Sequence, residues 1–292
     1  MIRILATGMT GLVGTRIKEI LPDLGFISLS RHNNVDITDY KAVEEYMVEF
    51  PDEYVLHMAA YADVDGCEKD KINGENGEVW RVNVSATKEI ARLCSKYRKT
   101  LIYISTDFVF DGKKSEGEGY IEEDTPNPVN WYGETKYRGE EAVRNSGVMH
   151  AILRIAYPYG KSSAQKKDFV RLIAQRLKNG QEVRGVTDHI FVPTYIDDIA
   201  GGIHKVIVEH LTGTYHVVGD TPLTPYLAAK KIAQMVGVDT SVIGQVVRAE
   251  YFAGKAERPF NLYLKNDKMK NLGFSPRSFD QGLQEMSDVL GS

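Results

Sequence analysis

The sequence predicts an α/β protein: a doubly wound parallel sheet of the Rossmann type with a smaller, discontinuous α/β substrate-binding domain. Three observations carry this. Short apolar runs alternate with helical stretches through the first half, the first of them leads directly into the glycine-spaced turn TGMTGLVG, and the alternation loosens after Gly160. Each crossover in such a chain lays a helix on the sheet, so the strands are parallel and covered on both faces.

In order, the strands expected are IRILAT (2–7), GFISLS (25–30), YVLHMA (54–59), TLIYIST (100–106) and HAILRIA (150–156). Helical segments lie between them, around 12–21, 39–49, 78–97 and 130–145. The GENG segment (Gly74 to Gly77) is the most loop-like, and Pro126 and Pro128 bracket the turn before the last of these helices. Beyond Gly160, a helix near 166–178 and a short strand precede PTYIDDIAGGIHKVIVEH, which starts extended and continues as helix. GTYHVVG (213–219) is a further strand, followed by a helix at 224–236, a loop containing ERPFN and a short final helix. The expected dinucleotide-binding domain is 1–158 plus about 186–215; the substrate-binding domain is about 159–185 plus 216–292.

Composition narrows the function. The 292 residues include 42% hydrophobic and 26% charged side chains, a globular balance. A net charge of −4 without basic runs argues against nucleic-acid or membrane-surface partners. Two distant cysteines and scattered histidines give no disulfide framework and no metal-ligand spacing, so no metal is expected. No apolar run is long enough to span a membrane and the chain opens directly on a strand, so the expected compartment is the cytoplasm. A homodimer is compatible with all of this.

Gly8, Gly11 and Gly14 lie between the first strand and the first helix, with Met9, Thr10, Leu12 and Val13 completing the loop. Glycines there allow a tight turn and close backbone approach to a pyrophosphate, which the helix N-terminus attracts. A merely structural strand–helix turn is the bland alternative. Arg31, at the end of the second strand, favours NADP through its 2′-phosphate, while Asp36 keeps NAD open.

The run NWYGETKYRGEE places Tyr132 and Lys136 four residues apart, on one helix face. Alone, that spacing also describes a solvated amphipathic helix. YISTDFVFDG ends a strand with Ser105, Thr106 and Asp107 at the sheet's active edge; AAYADVD (59–65) follows the third strand there, and Asn83 lies in the next helix.

TGxxGxxG, a strand-end Ser/Thr and YxxxK, in this order, resemble the extended short-chain dehydrogenase/reductases. Within them, STDFVFDG, PNPVNWYGETKYRGE, LRIAYPYG, VPTYIDDIA and ERPFNLYL are most similar to the dTDP-4-dehydrorhamnose reductase family. The resemblance implies NADP-dependent reduction of a nucleotide-linked 4-keto-6-deoxy sugar, with Tyr132 as proton donor, Lys136 as its cationic neighbour and ribose ligand, and Thr106 (or Ser105) holding the substrate oxygen. It places Asp36 and Ile37 near the adenine and Ala59, Ala60 and Tyr61 along the cofactor. Asn83 would support the site through its backbone or a water. Asp63, Asp65, Asp107, Phe108 and Tyr157 would lie near the substrate, and Arg258 near its diphosphate. A Lys cation one turn away is expected to lower the phenol's pKa of about 10; a shift of about 3 units takes roughly 4 kcal/mol.

The sequence departs from the family at Phe108, where Tyr is usual, at Tyr157 in place of Trp, and at Asp168 in place of Asn. The last would disfavour a diphosphate if it faced the substrate. Two other readings stand beside the reductase. A nucleotide-sugar epimerase or dehydratase would retain its cofactor, although dehydratases carry an acidic pair where Asp107 and Phe108 stand. The regulatory β subunit of methionine adenosyltransferase shares the overall pattern, including the Arg-Pro-x-Asn echoed by ERPFN.

Overall fold

The computed structural model describes residues 2–30, 35–165 and 167–291. Six parallel strands form the central sheet in the order β2-β1-β3-β4-β5-β9: β1 (Ile2–Thr7), β2 (Leu24–Leu29), β3 (Tyr54–His57), β4 (Thr100–Thr106), β5 (His150–Ile155) and β9 (Gly213–His216). The order reverses between β1 and β3, so a crevice opens beyond the carboxyl ends of those two strands.

Helices cover both faces because the strands are apolar on both. One face packs against α1 (Leu12–Ile20) and α8 (Ile196–Val208), burying Ile4, Leu56, Ile102 and Leu153 with Ile17, Ile199 and Ile203. The other face packs Leu5, Val55, Leu101 and Ile152 against α2 (Tyr40–Glu49) and α5 (Ala86–Lys96). Ahead of α5 run α3 (Val64–Asp70), α4 (Glu78–Trp80) and one π-helical turn, Arg81–Ser85. On that side also lies α6 (Trp131–Asn145), whose Val143 enters the same core.

The remaining chain builds a second core. Here β6 (Pro158–Tyr159) pairs with β8 (Thr194–Tyr195), and β7 (Val183–Val186) with β10 (Ile243–Val246). Val170 and Ala174 of α7 (Phe169–Lys178) pack with Ala229 and Ile232 of α9 (Pro225–Met235) and Phe279 of α12 (Phe279–Glu285). Short helices α10 (Arg248–Tyr251), α11 (Asp267–Asn271) and α13 (Ser287–Gly291) complete the chain.

Several details differ from the sequence expectations. The third strand stops at His57 because the N–H groups of Met58 and Ala59 both donate to Thr7 Oγ1, at 3.1 and 3.0 Å, and so leave the ladder. The GENG segment is not an open loop: Lys71–Asn76 forms 3₁₀ turns broken at Gly74, whose φ is +51°, and Asp70 accepts from Asn73 Nδ2 and from the Val79 N–H, both at 2.8 Å. The Asp168 side chain is engaged at the start of its own helix. It caps α7 by accepting from Arg171 N at 3.0 Å, and it pairs with Arg171 Nε at 2.7 Å, so its charge is already matched.

Beneath the sheet edge, Arg154 of β5 donates from Nε and Nη2 to Glu140 of α6 at 2.9 and 2.8 Å, and both side chains are buried. Removing Arg154 strips Glu140 of its buried partner and leaves only the part-exposed Arg144, whose Nη2 lies 2.6 Å from Oε2. Arg154→Leu is therefore expected to cost about 3–5 kcal/mol of stability, read as a lower urea midpoint with an unchanged slope.

Candidate active site

The glycine turn closes where β1 meets β3. Gly8 has φ +76°, and a Cβ there would lie 2.7 Å from Ala59 N, so a side chain would collide with the neighbouring backbone. A Cβ on Gly14 would lie 2.6 Å from Met9 Cα. Gly11 begins α1 with no side-chain cap, which leaves the helix N–H groups facing the crevice. Met9 is buried in the turn, Val13 packs on the core, and the Leu12 carbonyl accepts from Ser162 Oγ at 2.9 Å.

A cleft of about 420 Å³ continues from this turn. Gly8, Thr10, Asp36, Ile37, Ala59, Ala60 and Tyr61 line it, so seven of the expected cofactor residues meet in one place. Leu29, Ser30, Val35, Glu78 and Val82 also line it and were not anticipated. Glu78 and Val82 lie one turn apart and reach the cleft through the π-helical turn, which periodicity does not reveal. Asp36 Oδ1 accepts from Thr38 N at 2.9 Å and Thr38 Oγ1 at 2.8 Å. Arg31 lies outside the described residues.

Asn83 was expected to act through its backbone or a water. Its buried side chain instead exchanges hydrogen bonds with the Tyr61 backbone (2.8 Å to Oδ1, 3.1 Å from Nδ2) and donates to Thr135 Oγ1 at 3.0 Å. It thus ties the Tyr61 loop to α6.

Asn130 sets the start of α6 by accepting from Gly133 N at 2.9 Å, while its amide donates to the Glu257 carbonyl at 2.8 Å. From that end, Tyr132 packs edge-on to Phe108, ring centroids 5.7 Å apart. Lys136 is buried one turn on, its Nζ 4.1 Å from the centre of the Tyr103 ring. Burial lowers Lys136 to about 7, with Glu140 opposing. Burial likewise pushes the Tyr132 phenol well above its usual value; Thr106 opposes this and the Asp107 charge adds to it.

The expected lowering of Tyr132 by Lys136 is therefore corrected. A cation stripped of water loses its own proton near neutrality, so it cannot act as a full charge on the phenol at every pH.

Thr106 was expected to hold a substrate oxygen. Its hydroxyl donates to Asp107 Oδ1 at 2.9 Å and accepts from Phe108 N at 3.3 Å. Burial raises Asp107 to about 7. Once that carboxyl is protonated it can donate to Thr106, which frees the threonine proton for another acceptor. Ser105 is buried, and its hydroxyl makes no hydrogen bond among the described residues.

Arg258 Nη2 pairs with Asp65 Oδ1 at 2.8 Å, and its Nη1 donates to the Ala256 carbonyl at 2.7 Å. These two expected substrate residues thus hold each other, tying α3 to the 252–260 loop. Asp63 stands at the start of α3, its carbonyl accepting from Cys67 N at 2.8 Å. Tyr157 follows β5 with φ +39°, a conformation rare outside glycine; its ring lies 6.2 Å from that of Phe108. Among the described residues, no cluster of His, Cys, Asp and Glu could hold a metal ion, and no helix is long and apolar enough to cross a membrane.

Known proteins resemble this chain over nearly all of its length. The family described as RmlD substrate binding domain matches residues 2–291. A probable low-salt glycan biosynthesis reductase of Haloferax volcanii is 32% identical over 259 residues, covering 84% of this chain and 83% of that protein. The methionine adenosyltransferase 2 subunit beta of Mus musculus is 27% identical, covering 97% of this chain and 86% of that protein. The crystal structure of dTDP-4-dehydrorhamnose reductase from Bacillus anthracis, in complex with NADP, superposes with a TM-score of 0.87 at 30% identity and 97% coverage of each chain. A family match over nearly every residue, on a fold shared end to end with a reductase, settles the class: the chain belongs to the RmlD family of sugar-nucleotide reductases, oxidoreductases of the extended short-chain dehydrogenase/reductase type.

Proposed function

We propose that the chain is an NADPH-dependent reductase of a nucleotide-linked 4-keto-6-deoxy sugar, resembling dTDP-4-dehydrorhamnose reductase. The observation that carries this reading is that Thr106 lies by Tyr132, one helical turn from buried Lys136, in a fold whose glycine cradle admits no Cβ at Gly8. The cradle and the cleft fit a dinucleotide: the turn at 8–14 would hold its pyrophosphate, and Asp36, Ile37, Ala59, Ala60 and Tyr61 its adenosine half. The NADP complex of the Bacillus anthracis reductase supports the choice of cofactor. When bound, the dinucleotide supplies hydride.

The chain's own residues manage charge and proton. Tyr132 stays protonated because burial disfavours the phenolate, so it enters the reaction as an acid able to deliver its proton to the sugar's carbonyl oxygen. Thr106, once released from Asp107, steadies that oxygen beside the phenol. Lys136, when protonated, stabilises the phenolate left behind. Asp65 holds the Arg258 guanidinium, which would turn to a sugar-nucleotide diphosphate.

The test is product analysis with deuterium-labelled NADPH and dTDP-4-keto-6-deoxy-L-mannose. One deuterium at C4 of the product, with one NADPH consumed per sugar, supports net reduction. Conversion without net consumption would replace this reading with a retained-cofactor epimerase or dehydratase. A regulatory role is the second reading, favoured by the 27% identity to the methionine adenosyltransferase subunit.

A further inference from the structure

His189 was not among the expected site residues, yet it lies 1% exposed beside Tyr157. Its Nδ1 is 2.6 Å from the Pro259 carbonyl and its Nε2 is 3.0 Å from the Tyr157 hydroxyl. A carbonyl only accepts, so Nδ1 carries a proton. Burial holds the ring at about 4, with the Arg248 and Arg258 charges acting in the same direction and the Pro259 bond and Asp188 opposing. The ring is therefore neutral at physiological pH, and Nε2 carries only a lone pair. Tyr157 must donate to it.

The phenol's one proton is thereby committed, and the oxygen keeps only lone pairs for any other partner. That oxygen lies close to reacting groups. Phe108 stands between the rings of Tyr132 and Tyr157, 5.7 and 6.2 Å from each, and both Asp107 and Arg258 act electrostatically on the Tyr157 hydroxyl. Tyr157 thus shares Phe108 as a neighbour with the proposed proton donor and lies within electrostatic reach of Arg258. The unusual φ of +39° and the stacking of His189 on Phe191, with Phe191 4.5 Å from Tyr157, hold the arrangement in place.

We propose that His189 is a positioning residue that fixes the Tyr157 hydroxyl as a hydrogen-bond acceptor, so that the pair selects a sugar presenting a hydroxyl, not a carbonyl or a deoxy carbon, at that point. This rests on the sugar-nucleotide reading above and sharpens its specificity.

The test measures, by calorimetry with NADP⁺ present, the Kd of a dTDP-6-deoxyhexose and of its analogues lacking single ring hydroxyls. One analogue is expected to bind roughly 10- to 100-fold more weakly, because it leaves a buried acceptor unpaired. Tyr157→Phe should bring that ratio close to one. His189→Phe, which frees the tyrosine proton, should reduce the ratio, while His189→Gln, whose amide can still accept, should retain part of it. Equal binding of every analogue by the wild type, or an unchanged ratio in Tyr157→Phe, overturns the inference. Nitrogen NMR of labelled histidine gives a readout independent of any sugar: a protonated Nε2 on His189 near pH 7 also overturns it. Since none of these readings needs turnover, a preserved ratio without reduction would count against the reductase reading alone.

Discussion

Tyr132→Phe is expected to lower kcat by roughly 10²–10⁴-fold, the usual contribution of a positioned general acid, while NADPH affinity stays within a few-fold of wild type. The substitution removes one oxygen and keeps the ring that packs against Phe108, so the site's shape survives. The loss corresponds to about 3–5 kcal/mol of transition-state stabilisation. Parallel steady-state kinetics and NADPH titrations of the two proteins check it. A variant with unchanged kcat would remove Tyr132 from the proton path.

Lys136→Met has two expected effects of opposite sign. Activity falls by at least about 100-fold, the typical cost of removing one preorganised electrostatic group. Stability without dinucleotide rises at pH 7, because a buried ammonium is replaced by an unbranched hydrophobe that suits the same channel. The sign follows from linkage. The folded value of about 7 lies below the unfolded value of about 10.4, so the unfolded chain binds the extra proton between those limits. Wild-type stability from this residue therefore increases as pH rises from about 7 to about 10, and below 7 the full cost remains. Taken at face value the shift amounts to several kcal/mol. Urea unfolding at pH 6.5 and pH 10 checks it: the variant's advantage should be large at the lower pH and close to zero at the higher. Equal differences at both would mean that Lys136 keeps its proton in the folded chain.

Much of this was legible in the residues. The alternating runs and the glycine turn led to the parallel sheet and to the cleft beside Gly8, because period and turn chemistry are local properties. The i,i+4 relation put Tyr132 and Lys136 on one face of α6, as a regular helix must. What local pattern could not carry was burial and pairing. The protonation of Lys136 depends on its burial, the direction of the Thr106 bond on Asp107, and the state of Arg258 on Asp65, 193 residues away in the chain. Asp168 looked like an intruding carboxylate until its cap and its partner Arg171 were in view. His189 gave no signal at all, since its importance comes from two contacts made in the folded chain.

The most direct test of the central claim is NADPH oxidation by the purified protein with dTDP-4-keto-6-deoxy-L-mannose at pH 7, beside a control without sugar. Sugar-dependent, multiple-turnover oxidation is the result predicted. Tight NADPH binding with no oxidation on this or any other nucleotide-linked 4-keto sugar would contradict it and move the chain to the side of its regulatory relatives.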